Sequence, residues 1–205
     1  IITILIMKIL ILMYYDENVK SYADYCKYLN ENYCKKHNYD FIYSNDKWLP
    51  YKSGHYQRYP LILKHIEKYD WVMWIDADAF FYNDAPPLES FINHIGYSHE
   101  IILSYSIKQY LSDDYDKNFI NNGVFLLKNT KNNIKIIEKI IDSDDIKNIS
   151  HEKHYTYDQS IFRYLYEINY LDFKKNSFVL NYGALQHFYE HELGYLKYKP
   201  FILHM

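Results

Sequence analysis

Two arginines, two cysteines, five glycines and five prolines are spread over 205 residues. Average usage would bring roughly 14 Gly and 10 Pro to a chain of this length. The shortfall excludes a collagen-like chain, a flexible linker array and a low-complexity tail. Charge of one sign is also lacking: 23 Lys and Arg face 26 Asp and Glu, a formal net charge of −3. That gives no electrostatic case for nucleic acid as a partner. No Walker loop, G-x-G-x-x-G or G-x-S-x-G occurs, so NTPase, dehydrogenase and serine hydrolase readings lack their phosphate cradle or nucleophile. Cys26 and Cys34, placed on one helix, would stand ~12 Å apart at 1.5 Å per residue. A disulfide needs Cα atoms within roughly 7 Å, so free thiols are expected, and these favour a reducing compartment. No apolar run reaches the ~20 residues of a membrane span. Ile1 to Tyr15 is shorter, is rich in Ile and carries Lys8, so it reads as a buried first strand; the alternative is the inner end of a signal anchor. No cleavable signal peptide is evident.

What is present is apolar and aromatic. Hydrophobic residues make up 49% of the chain and aromatic residues 20%, with 26 Tyr. A core is affordable in residues, and one domain over residues 1–205 is expected. The counts of 26 Ile, 21 Lys and 17 Asn point to AT-rich codons as the source of the skew. Strands are expected at residues 7–15, Tyr39 to Tyr43, Trp71 to Ile75, Ile101 to Tyr105, Val124 to Leu127, Phe178 to Leu180 and Phe201 to Leu203. Helices are expected at 19–37, around Pro60, at Ile134 to Ile141 and at Gln159 to Tyr166. In the first helix, Tyr22, Tyr25, Cys26, Leu29 and Tyr33 fall at helical spacing. Strands alternating with helices imply an α/β domain with a largely parallel sheet flanked by helices.

The most informative segment is Trp71-Val72-Met73-Trp74-Ile75-Asp76-Ala77-Asp78-Ala79. Five apolar residues read as a strand covered on both faces. In extended chain the two carboxylates that follow would point to one side. Ligands of open α/β sheets bind beyond the carboxyl ends of the strands. Two carboxylates there suit a hard divalent cation, Mn²⁺ or Mg²⁺, of the kind that bridges to substrate phosphates. The bland alternative for an isolated Asp-x-Asp is a solvated turn.

With Gln57-Arg58-Tyr59-Pro60-Leu61-Ile62-Leu63-Lys64 ahead of it, this segment resembles the signature of glycosyltransferase family 34. Four further segments agree in order: Tyr22-Ala23 through His37-Asn38-Tyr39-Asp40-Phe41; Asn121-Asn122-Gly123-Val124-Phe125-Leu126-Leu127-Lys128-Asn129; Tyr157-Asp158-Gln159-Ser160; and Pro200-Phe201-Ile202-Leu203-His204. The family pattern has Gly at position 38 and an acidic residue at 157, and it continues beyond His204 with Gly and basic residues. A chain cut short just past His204 is therefore expected.

The resemblance implies a GT-A fold, Rossmann-like with a mostly parallel central sheet, and transfer of a hexose or pentose with retention of configuration. Its donor would be a nucleotide sugar, a UDP-sugar ahead of a GDP-sugar, and its acceptor an oligosaccharide or glycan. It assigns Asp76, Asp78 and His204 to the metal. To the donor it assigns Asp76, Arg58, Asn122 and Gly123, with Tyr14 and Tyr15 at the base. Asp158 and Gln159 would flank the anomeric carbon. The alternatives are another GT-A family and a catalytically silent domain of the same fold. Oligomeric state is left open, a homodimer included. A cytoplasmic location is expected, with a Golgi lumenal domain as the alternative. The pairs His151/His154 and His187/His191 are read as structural or acceptor-side residues, the acidic run 142–145 as a solvated loop, and the sequon Asn148-Ile149-Ser150 as a chance match.

Overall fold

The apolar start of the chain forms β1 (Ile9–Tyr14), buried at every residue. Ile9, Ile11 and Met13 pack on one face, and Leu10, Leu12 and Tyr14 on the other. This alternation is what a strand needs when both of its faces are covered. It recurs in β3 (Trp71–Ile75) and β6 (Ile120–Lys128). With β2 (Asp40–Ser44), β5 (Ile101–Tyr105) and β7 (Ser177–Leu180), these strands make a six-stranded sheet of order β2-β1-β3-β6-β5-β7. Every pairing is parallel except the two made by β6, which runs against both β3 and β5. The chain is described by a computed structural model covering residues 7–95, 98–105, 120–143, 158–181, 183–188 and 201–204.

Helices cover both faces. On one side, α1 (Lys20–His37) and α3 (Leu88–Ile95) bury Ala23, Cys26, Tyr33, Leu88 and Ile92. On the other, α2 (Arg58–His65), α4 (Lys131–Ile141) and α5 (Asp158–Glu167) bury Tyr59, Ile62, Ile137 and Phe162 among others. The expected α/β architecture is present. Among the described residues no helix is long and apolar enough to cross a membrane.

A second, three-stranded sheet stands beside the first: β4 (Ala79–Phe81), β9 (Ile202–His204) and β8 (Gln186–Phe188), with β9 in the middle. Sequence reading expected only β9 of these. Strands of three residues are too short to show a period, and β4 and β8 were missed for that reason. Helix α3 was also missed, because Pro86-Pro87 reads as a break; the helix starts directly after it.

The buried face of α1 differs from the expected one. Ala23, Cys26, Asn30, Tyr33 and Cys34 are buried, whereas Tyr22, Tyr25 and Tyr28 are exposed. Buried Asn30 takes the place of a neighbouring strand for β4. Its Nδ2 donates to the Ala79 carbonyl at 3.0 Å, and its Oδ1 accepts from the Phe81 N–H at 3.1 Å. At the end of α1, Asn38 has φ 59° and ψ 44°. A left-handed C-cap suits Gly first and Asn second, which accounts for Asn where the family pattern has Gly. Cys26 and Cys34 are buried and unpaired.

Candidate active site

Strand β3 leaves the sheet at Ile75, and the chain turns at once: the Ala79 N–H donates to the Asp76 carbonyl at 3.1 Å. Asp76 and Asp78 therefore sit in a tight turn rather than in the extended chain expected. They still converge, because the turn delivers the chain into β4. In the pairing of β4 with β9, Ala79 lies opposite His204, and His204 Nε2 comes within 2.9 Å of Asp78 Oδ1. One ligand atom from each of Asp76, Asp78 and His204 lies within 4.8 Å of the others. Two carboxylates and an imidazole form a donor set that fits a divalent cation.

Gly123 forms the floor of this cluster. Its carbonyl accepts from the Asp76 N–H at 2.8 Å. A Cβ at position 123 would meet His204 Cε1 at 2.7 Å and Asp76 Oδ2 at 2.8 Å. The absent side chain thus makes room for the three ligands to close together, a backbone approach only Gly allows.

Asp76 is held from behind. Its Oδ1 accepts from Trp74 Nε1 at 2.7 Å and pairs with Arg58 Nη2 at 3.2 Å. Arg58 is 3% exposed and lies over the Trp74 ring, 5.0 Å from its centre. It donates to the carbonyls of His55 and Asn122. Its Nε lies 3.3 Å from Asp158 Oδ2. One guanidinium therefore joins the end of β3 to the start of α5. Burial pulls the Arg58 pKa down, but Asp158 and Asp76 outweigh it and raise it.

Asp158 Oδ2 also accepts from the Tyr59 hydroxyl at 2.6 Å and from Asn122 Nδ2 at 2.8 Å. Burial, with Asp158 beside it, pushes the Tyr59 pKa well up and keeps it a neutral donor. At the metal-ligand cluster, burial raises the Asp76 carboxyl, with Arg58 and His204 opposing. Burial works the same way on Asp78, but the hydrogen bond from His204 prevails and holds it low. A bound divalent cation would favour the ionised form of both.

A cavity of about 340 Å³ opens in front of Asp76, Asp78 and Arg58. Tyr14, Tyr15 and Trp74 line it, as do Tyr22 and the Gly54-His55 segment. Burial raises the Tyr14 pKa, with Asp16 adding to it. Tyr15 is stacked on Tyr43 at 4.3 Å between ring centres, and its hydroxyl is bonded to Asp24. Among the described residues, Asp158, Asn122 and Gly123 stand behind Arg58 and Asp76 rather than in the cavity wall. Gln159 is half-buried at the start of α5.

Sequence reading missed Tyr22, which it assigned to the core face of α1, and Gln186, which carries no motif. The structure makes both part of the site: Tyr22 lines the cavity, and Gln186 hydrogen-bonds His204 at 2.9 Å. Several expectations fall wholly or partly outside the described residues: His151, His154, His191, Tyr157, Asp144, Asp145, Pro200, the sequon 148–150 and residues 1–6.

A model of the galactosyl transferase GMA12/MNN10 family matches residues 3–205. Over 114 residues the chain is 29% identical to galactomannan galactosyltransferase 1 of Cyamopsis tetragonoloba, a stretch covering 52% of this chain and 24% of that protein. Putative glycosyltransferase 7 of Arabidopsis thaliana is 25% identical over 113 residues, with the same coverage of 52% and 24%. The matched stretch thus spans about a quarter of these relatives' length. Among solved structures, a glycosyltransferase involved in glycosylation of the major capsid of PBCV-1 superposes with a TM-score of 0.73 at 22% identity, covering 97% of this chain and 93% of that one. The galactosyltransferase LgtC, solved with donor and acceptor sugar analogs, superposes with a TM-score of 0.59 at 14% identity, covering 95% and 86%. These likenesses establish the GT-A fold.

Proposed function

Because the chain belongs to the galactosyl transferase GMA12/MNN10 family, we propose that it moves a sugar from a nucleotide-sugar donor to a glycan acceptor with the help of a divalent cation. The observation that carries this reading is the convergence of Asp76, Asp78 and His204, with the two carboxylates lining an aromatic-walled cavity. Departure of a sugar leaves negative charge on a nucleoside diphosphate. Asp76, Asp78 and His204 would hold the cation, which would supply Lewis-acid stabilisation of that charge.

The protein's own groups do the rest. Tyr14 and Tyr22 offer ring surface in the cavity for a nucleobase. Arg58 fixes Asp76 and Asp158 relative to one another across 3.2 and 3.3 Å contacts. Three donors on Asp158 Oδ2 reduce the electron density that oxygen can offer a carbon atom. Asp158, proposed near the anomeric carbon, stands behind Arg58 and Asp76, so it serves there by holding Arg58, Tyr59 and Asn122 more readily than as a nucleophile through Oδ2. Gln159, next in the chain, is the other group proposed there. Retention of configuration and preference for a UDP-sugar are carried over from the family resemblance. The two buried, unpaired thiols support a reducing, cytoplasmic setting.

A hydrolysis screen over UDP-galactose, UDP-xylose, UDP-glucose and GDP-mannose, with and without Mn²⁺, tests the proposal. Turnover of at least one donor is expected with Mn²⁺ and none in Asp78→Ala. Mn²⁺-dependent turnover that survives in Asp78→Ala would remove the assigned metal site.

A further inference from the structure

We propose that Gln186 is a positioning residue that fixes the tautomer of His204, so that Nε2 faces the metal. This rests on the reading of Asp76, Asp78 and His204 as a metal site. The hydrogen of a backbone N–H has only one place to be. The Gly123 N–H donates to Asn121 Oδ1 at 2.6 Å, which settles which end of the Asn121 amide is oxygen. That oxygen lies 3.0 Å from Gln186 Nε2. A carbonyl oxygen only accepts, so the facing atom of Gln186 must be its NH₂. The second hydrogen of the same NH₂ goes to Ser104 Oγ at 2.8 Å. Gln186 Oε1 is therefore the atom 2.9 Å from His204 Nδ1. An amide oxygen only accepts, so Nδ1 carries the hydrogen. Nε2, 2.9 Å from Asp78 Oδ1, is then the ring atom left to face a cation; while none is bound, a hydrogen on Nε2 bonds that carboxylate.

Burial makes the arrangement rigid. Gln186 and Ser104 are fully buried, and His204 is 5% exposed. Turning the Gln186 amide over would set two oxygens against each other at the Asn121 contact and leave two donors facing at the His204 contact. The elements hold the same order. Gln186 pairs with Ile202, and His204 lies two residues further along β9, on the same face. Ser104 and Asn121 are register partners in β5 and β6. The short second sheet and the main sheet are thus joined through one amide. Partners of this kind behind a metal-ligating histidine typically change metal affinity ten- to a hundredfold when removed.

Two measurements test this. Long-range ¹H–¹⁵N correlation spectra of the His204 ring in the metal-free wild-type protein should show hydrogen on Nδ1. Hydrogen on Nε2 alone would overturn the proposal whether or not metal binds. Titration of Mn²⁺ followed by the signal of free ion should give roughly ten- to hundredfold weaker binding for Gln186→Leu. Gln186→Glu, which keeps an acceptor for Nδ1–H, should recover part of the loss. A folded Gln186→Leu protein that binds Mn²⁺ as tightly as wild type would contradict the proposal. If the wild type binds no Mn²⁺, the metal reading falls, and the ring spectrum still decides the role of Gln186.

Discussion

Gly123 and Arg58 show how much single positions decide here. A Cβ at residue 123 would stand 2.7 Å from His204 and 2.8 Å from Asp76. Gly123→Ala is expected to weaken Mn²⁺ binding at least tenfold by forcing the ligands apart, while the protein stays folded. A Mn²⁺ titration reads this, and unchanged affinity would mean that the ligands have slack. Arg58 has the opposite character. Its guanidinium is buried between Asp76 and Asp158, and Asp158 is itself buried. Arg58→Met leaves a buried carboxylate unpaired, which typically destabilises by about 3–5 kcal/mol. Denaturant unfolding of the variant should show a loss of that order; a loss under about 1 kcal/mol would mean that Asp158 finds other compensation, as a merely surface-exposed pair would allow. The family resemblance singled out both residues, and each belongs to a type that is scarce in this chain. It cast Arg58 as a donor contact, and the structure adds a bracing role that depends on burial no motif encodes.

Among the elements, β3 was the most legible and β4 the least. Five consecutive apolar residues mark a doubly covered strand, and the observed bounds Trp71–Ile75 match the expectation. Three-residue β4 has no pattern of its own, and a side chain from α1 supplies one edge of it. Asn30 uses both ends of its amide on Ala79 and Phe81. Asn30→Leu should therefore leave two backbone groups of β4 without partners, a loss typically of about 1–3 kcal/mol. It should also speed amide exchange at Phe81. Unaltered exchange there would show that β4 holds without the amide. The aromatic spacing of α1 misled for a related reason. Of the expected row Tyr22, Tyr25, Cys26, Leu29 and Tyr33, only Cys26 and Tyr33 are buried, and Ala23, Asn30 and Cys34 complete the buried face. The codon-driven excess of Tyr makes ring spacing a poor guide to the buried face.

For the whole molecule, the α/β class follows from the alternation of apolar strands with helices, whereas the order of the strands and the antiparallel run of β6 have no such local signal. What stayed illegible is the second sheet, because its pairing joins residues near 80 to residues near 204. No local pattern carries that information. Both cysteines lie in the core that α1 shares with the main sheet, and burial pushes their thiols up to about 12 from an ordinary 9.0. Folding therefore favours the protonated thiols. Their contribution to stability is complete below about pH 9 and is lost progressively as pH rises towards 12. Native protein at pH 8 should resist alkylation at both cysteines and react at both in denaturant. Rapid alkylation of the native protein would contradict the packing of α1.

In the proposed function, Asp76, Asp78 and His204 hold a cation that a nucleoside diphosphate requires for binding. Calorimetric titration of UDP into the protein, with Mn²⁺ and with EDTA, tests it most directly. UDP should bind at least tenfold tighter with Mn²⁺ than with EDTA, and Asp78→Asn should abolish that difference. Equal UDP affinity under both conditions would contradict it.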